Sequence, residues 1–157
     1  MQNLPLSKLM AAGSLALGLS LSAGVVPATA AAAEDQAATA EEQVKVVYHI
    51  NDAENQALAA LRNMRNHLDV APDTQIAVVA HSDGIEFLMN NYEDAETVAS
   101  LVADLSARGV QFQVCEITIG RKDYDKDDFL LEADFTPSGV ARLAELQYQE
   151  GYAYIKP

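Results

Sequence analysis

The sequence predicts an α/β fold, a three-layer sandwich built on a mostly parallel sheet of about five strands with flavodoxin-like layering. Three observations predict it. Short β-branched runs alternate with segments of helical period, the connections between them are short, and one run, Gln75 to Ala80 (QIAVVA), is almost continuously apolar, as in a sheet covered on both faces. A hydrophobic fraction of 50% in 157 residues is ample for one packed core.

The first strand is Val44 to Ile50 (VKVVYHI). After the cap candidates Asn51 and Asp52, the residues Ala57, Leu58, Leu61, Met64 and Leu68 recur at helical spacing until Pro72-Asp73 ends the segment. The QIAVVA strand follows, and Ser82-Asp83-Gly84 behind it reads as a turn and helix cap. Ala95, Val98, Ala99, Val102 and Leu105 trace a second helix that stops at Arg108-Gly109, where glycine can take the left-handed conformation. Gly109 to Cys115 (GVQFQVC) alternates Val110, Phe112 and Val114 on one face of a third strand. A short strand is expected around Ala133 to Phe135. Thr136-Pro137 is an N-cap and first-turn pair for a last helix carrying Val140, Leu143, Ala144 and Leu146 and ending at Gly151, and Tyr152 to Ile155 closes the sheet.

Residues 1–30 read as a secretory signal: Lys8 is the positive n-region, Leu9 to Val26 is uncharged and apolar, and Ala28-Thr29-Ala30 is a small-residue cleavage site. An uncleaved anchor is the competing reading, because the apolar stretch is close to spanning length. Its glycines and the Ala-x-Ala ending favour cleavage and a periplasmic location, with no membrane attachment afterwards. Residues 31–43 form an acidic, Ala-rich leader, and 44–157 the folded domain. The formal charge of −13 disfavours nucleic-acid binding. Removing the signal leaves nine basic residues against 23 acidic ones, a charge of −14.

A single cysteine excludes an intrachain disulfide framework and a Cys-rich zinc site. In an oxidising compartment that unpaired thiol calls for an explanation. Sites in open α/β sheets gather at the carboxyl ends of the strands. His49 ends the first strand, His81 follows the second and Cys115 ends the third, so parallel neighbours would bring all three to one edge. They are the candidate catalytic residues. His67, near the end of an amphipathic helix, better suits the helix dipole. A thiolate needs cations or hydrogen-bond donors, and Thr118, Arg121 and Lys122 are the candidates for supplying them and contacting substrate. If strand geometry persisted past Cys115, Glu116 would point to the opposite face. The acidic stretch Asp123 to Asp128 would oppose thiolate formation if it folded back. Cys115 and the two histidines could alternatively ligate copper or zinc, but ligands on three separate strands leave no spacing signature, and no resident cofactor or metal is predicted. No Gly-x-Ser-x-Gly elbow or dinucleotide fingerprint occurs, and DYDKDD lacks the glycine and glutamate spacing of a calcium loop.

The segments KVVYHIND, IAVVAHSDGIEFL, LSARGVQFQVCEITI and TPSGVARLAELQYQEGYAYIKP, in this order, resemble the DsrE/DsrF-like sulfur-relay family, in particular its exported (periplasmic) members. The resemblance covers Lys45 to Pro157. It implies a compact α/β sandwich that assembles as a homotrimer or homohexamer, with Cys115 at the strand end where cytoplasmic relatives carry a persulfide, and with a sulfur donor or acceptor protein as partner. Relay enzymes usually follow that cysteine with a small-residue, arginine-rich helix start, whereas Glu116-Ile117-Thr118-Ile119 stands here. Two functions are therefore expected: a sulfurtransferase or persulfide carrier acting through Cys115, with His49 or His81 carrying a proton, or a non-catalytic oligomeric module binding a small ligand or metal.

Overall fold

In the computed structural model, which describes residues 43–157, every predicted strand joins one sheet. The signal segment and the leader before Gln43 lie outside the described residues. The chain runs β1 (Lys45–Ile50), α1 (Ala53–Val70), β2 (Gln75–Ala80), a 3-10 segment (Ser82–Leu88), α2 (Ala95–Ala107), β3 (Gln111–Cys115), α3 (Glu116–Lys122), a 3-10 turn (Lys126–Asp128), β4 (Ala133–Thr136), α4 (Gly139–Tyr148) and β5 (Ala153–Ile155). All pairings are parallel and the order is β4-β3-β2-β1-β5. That order departs from the 2-1-3-4-5 of flavodoxin: the last strand, not the second, is the one laid beside β1 on its far side.

The order fixes the layers. Steps from β1 to β4 all move the same way, so right-handed crossovers put their connections on one face, and the return from β4 to β5 needs α4 on the other. Strand alternation divides the core accordingly. Val46, Tyr48, Ile50, Ile76, Val78, Ala80, Phe112 and Val114 pack with Leu61, Met64, Phe87, Val102 and Leu105 in the larger cluster. Val47, Ala77 and Val79 meet Leu143 and Leu146 of α4 and Tyr152 in the smaller one.

Local chemistry accounts for the boundaries. Asp52 caps α1, its carboxylate accepting from the Asn55 N–H at 3.1 Å. Helix α2 ends in a Schellman motif: Gly109 stands at φ +90°, its N–H reaches the Ser106 carbonyl and that of Val110 the Leu105 carbonyl. The cap of α4 differs from the expectation. Ser138 is the N-cap, its hydroxyl accepting from the Ala141 N–H, and Thr136 is instead the last residue of β4. Thr136 stays paired with Cys115 in the β3–β4 ladder, so the cap falls to Ser138.

Candidate functional site

Period-two alternation carries His49, His81 and Cys115 to one face at one edge. His49 lies opposite Val79 in the β1–β2 register, His81 comes two residues after Val79, and Cys115 lies opposite Thr136 at the end of β3. All three point to the side of the sheet that α4 covers.

The two imidazoles touch. Their Nε2 atoms are 2.7 Å apart, a hydrogen bond in which one ring donates and the other accepts. Each remaining nitrogen has a hydroxyl partner, Tyr154 at 2.7 Å from His49 Nδ1 and Ser82 at 3.0 Å from His81 Nδ1. If His49 donates from Nε2, its bare Nδ1 accepts the Tyr154 proton while His81 donates from Nδ1 to Ser82. Reversing every bond gives a second arrangement that is equally satisfied with both rings neutral. Burial, then the field of the Lys156 ammonium and of His81, lowers the His49 pKa to about 4, and burial followed by Lys156 lowers that of His81. The pair is thus uncharged at neutral pH and holds one shared proton between the rings.

Cys115 is 5% exposed and unpaired. Burial pushes its thiol up, but the Gly139 N–H, the Thr118 hydroxyl and the N–H groups of Thr118 and Ile117 push it down further, so its pKa lies below the ordinary thiol value. Two chain turns provide these donors. The β-branched EITI segment does not continue the strand but starts α3 at Glu116, with Cys115 as N-cap, so the sulfur stands at the N-terminal end of that helix. From the other side α4 begins at Gly139, where a Cβ would stand 3.1 Å from the His81 Cβ and 3.2 Å from that of Cys115. Only glycine lets this backbone fit between the two side chains without displacing them.

Of the three predicted substrate contacts, Thr118 is buried, its hydroxyl lowers the Cys115 thiol pKa, and it accepts the Ser82 N–H at 3.2 Å. Arg121 is exposed, and Lys122 lies 2.7 Å from both Asp83 and Glu86, which raise its pKa. Lys122 instead ties α3 to the segment behind His81. In the acidic stretch Asp125 and Asp128 form a capping box, and Glu116, turned into the first turn of α3, pairs with Lys126. His67 sits in the last turn of α1, as expected, with its Nδ1 3.4 Å from the Tyr48 hydroxyl.

Sequence reading missed Tyr154, Lys156, Ser82 and Gly139. Tyr154 pairs with Val47 across β5 and β1, and this places it on the face of His49. Its signal was the alternation of the last strand, which identifies the face once the strand's neighbour is known. A metal between the imidazoles would hold its nitrogens about 3.3 Å apart at zinc bond lengths, wider than the observed contact. As they stand the rings are spaced for a proton, and among the described residues no three metal-ligating side chains converge.

An open cleft of about 610 Å³, lined by Asp52, Glu54, Asp83, Glu86, Tyr92 and Glu93 among others, lies apart from this cluster. Neither histidine nor Cys115 lines it.

Among solved structures, the chain is similar to the protein of unknown function MTH1491 from Methanobacterium thermoautotrophicum, with 34% identity and a TM-score of 0.67, over 73% of this chain and 100% of that one. The ychN protein from E. coli shares the fold, at 12% identity and a TM-score of 0.59, over 74% of this chain and 100% of that one. No curated protein matches the chain. The family comparison matches residues 22–157, and the chain thus belongs to the DsrE/DsrF-like family.

Proposed function

We propose that this protein handles sulfane sulfur through a persulfide on Cys115. The observation that carries the reading is the placement of the buried Cys115 at the N-cap of α3 and against Gly139 at the start of α4, where the Gly139 N–H and the groups of Thr118 and Ile117 lower its thiol pKa. Membership of the DsrE/DsrF-like family supports a sulfur-relay role. The Cys115 thiolate attacks the sulfane sulfur of a donor, the donor's S–S bond breaks, and its leaving group keeps the electron pair. An acceptor thiolate then attacks the outer sulfur of the Cys115 persulfide and releases the Cys115 thiolate.

The signal-like segment 1–30 supports export to the periplasm, and the family resemblance supports a homotrimer or homohexamer. Ile117 and Val140, both exposed and flanking the site, offer apolar surface for such contacts.

The test is mass spectrometry of intact protein after incubation with a sulfane-sulfur donor. Wild type is expected to gain the mass of one sulfur atom and Cys115→Ala none. A thiol that neither gains sulfur nor alkylates near neutral pH overturns the reading. Fractionation of cells and light scattering of the purified protein test location and assembly.

A further inference from the structure

Helix α4 covers the face of the sheet on which His49, His81 and Cys115 stand. Its apolar contacts go elsewhere: Leu143 and Leu146 pack with Val47 of β1, with Ala77 and Val79 of β2 and with Tyr152. None of these strand residues belongs to β3, the strand that ends in Cys115. Towards β3, α4 sends a polar contact, in which the Arg142 Nε–H donates to the side-chain oxygen of Gln113 at 2.9 Å. Gln113 is buried. A buried amide packs less favourably than an apolar side chain of its size, so its bond accounts for its place, and that bond has a direction that apolar contact lacks.

Two further bonds aim the guanidinium. Its Nη1 lies 2.7 Å from the Glu145 carboxylate and 2.6 Å from that of Glu150, one on α4 and one just beyond it, which leaves Nε for the sheet. Gln113 precedes Cys115 by two residues and shares its face of β3. Arg142 follows Gly139 by three, close to one turn, and shares its side of α4. The helix returns against the strand direction, so a step back from Cys115 to Gln113, about 6.6 Å, accompanies a step forward from Gly139 to Arg142, about 4.5 Å. The Gln113–Arg142 bond is thus the neighbour, along one line of contact, of the close fit in which a Cβ on Gly139 would stand 3.2 Å from that of Cys115.

We propose that Gln113 and Arg142 are positioning residues, whose hydrogen bond sets α4 on β3 in the register that seats Gly139 against Cys115. The proposal rests on the reading of Cys115 as the sulfur-accepting residue. Apolar packing on β1 and β2 resists separation of α4 from the sheet but not a slide or roll by a fraction of a turn, whereas a bond to β3 resists both. A small movement suffices to matter. Gly139 sits between the side chains of His81 and Cys115, and its withdrawal takes from the sulfur an N–H that favours the thiolate. Both residues act through the place of Gly139 and not on the sulfur itself.

The experiment reads the Cys115 alkylation rate against pH on the full chain, with the urea midpoint in parallel. Gln113→Met keeps the length of the side chain and removes the acceptor. It is expected to slow alkylation at neutral pH about tenfold, the effect of losing one hydrogen bond to a charged group, and to raise the midpoint of the profile. Gln113→Met/Arg142→Met leaves neither partner without the other, so it should cost little stability and yet alkylate as slowly as the single variant. Arg108→Met, which removes an ion pair with Asp69, is the control for stability alone and should keep the wild-type profile. A wild-type profile in whichever Gln113 variant folds, or an equal shift in Arg108→Met, overturns the proposal. Alkylation needs no sulfur donor, so these outcomes stand apart from the persulfide reading, which fails if wild type gains no sulfur.

Discussion

His49 and His81 meet Nε2 to Nε2 at 2.7 Å, so one N–H proton lies in the contact between the two neutral rings and they titrate as a coupled pair. With the His49 pKa lowered to about 4 and that of His81 lowered too, the folded state holds both rings neutral where the unfolded chain would protonate them. The unfolded state therefore binds more protons between its ordinary histidine pKa and the folded value. The stability that this neutral pair contributes is complete above about pH 6.5 and is lost as the pH falls towards 4. Urea unfolding across that window should show the decline in wild type and a flatter profile in His49→Gln/His81→Gln. Imidazole NMR titration should find no transition of His49 near 6.5.

Thr118→Val removes the hydroxyl that favours the Cys115 thiolate and keeps the side-chain shape. Loss of one hydrogen bond to a charged group, about 1.5 kcal/mol, should raise the thiol pKa by about one unit and slow alkylation at neutral pH roughly tenfold. The measurement is the alkylation rate against pH, with wild type reaching half its maximal rate below an ordinary thiol. An unchanged profile would remove Thr118 from the site.

Gly139→Ala places a methyl group 3.1 and 3.2 Å from two Cβ atoms that belong to the site. Strain of this kind costs about 1–3 kcal/mol. A fall in the urea midpoint is expected together with slower alkylation, because α4 must retreat and take its N–H from the sulfur.

Lys122→Met should separate position from charge. Lys122 is held by Asp83 and Glu86, so stability should fall by about 1 kcal/mol or less while the alkylation profile keeps its midpoint. Arg121→Gln should leave both unchanged. A marked rise in the Cys115 midpoint in either variant would restore them as thiolate partners.

Copper and zinc, titrated into protein purified without an affinity tag, must break the His49–His81 hydrogen bond to reach either Nε2. No stoichiometric heat is expected, and a bound equivalent lost in His81→Gln would establish a metal site instead.

Much of the site was legible because it depends on two local rules, alternation along a strand and the parallel order of consecutive strands. Those rules bring His49, His81 and Cys115 to one edge without further information. Other features depend on what no local pattern records. Glu116 to Ile119 has the β-branched look of a strand, yet it is helical, because tertiary packing of Ile119 in the larger core overrides propensity. Arg121 and Lys122 are close to Cys115 in sequence, but the turn into α3 takes Lys122 to carboxylates on another segment. Tyr154 and Lys156 enter the site only through the pairing of β5 with β1, and no residue in either strand announces that partner.

That pairing also orders events in time. Tyr154 lies 105 residues from His49, and the strand that carries it is the last to be laid into the sheet's sequence order. Contacts of such separation are slow to close and form late. A chain still emerging, or one clipped before β5, can present Cys115 and both histidines but lacks the phenol that orients the first ring and the ammonium beside it. The complete reactive edge is thus a signature of finished folding, and an unfinished chain would keep its thiol without the full apparatus around it.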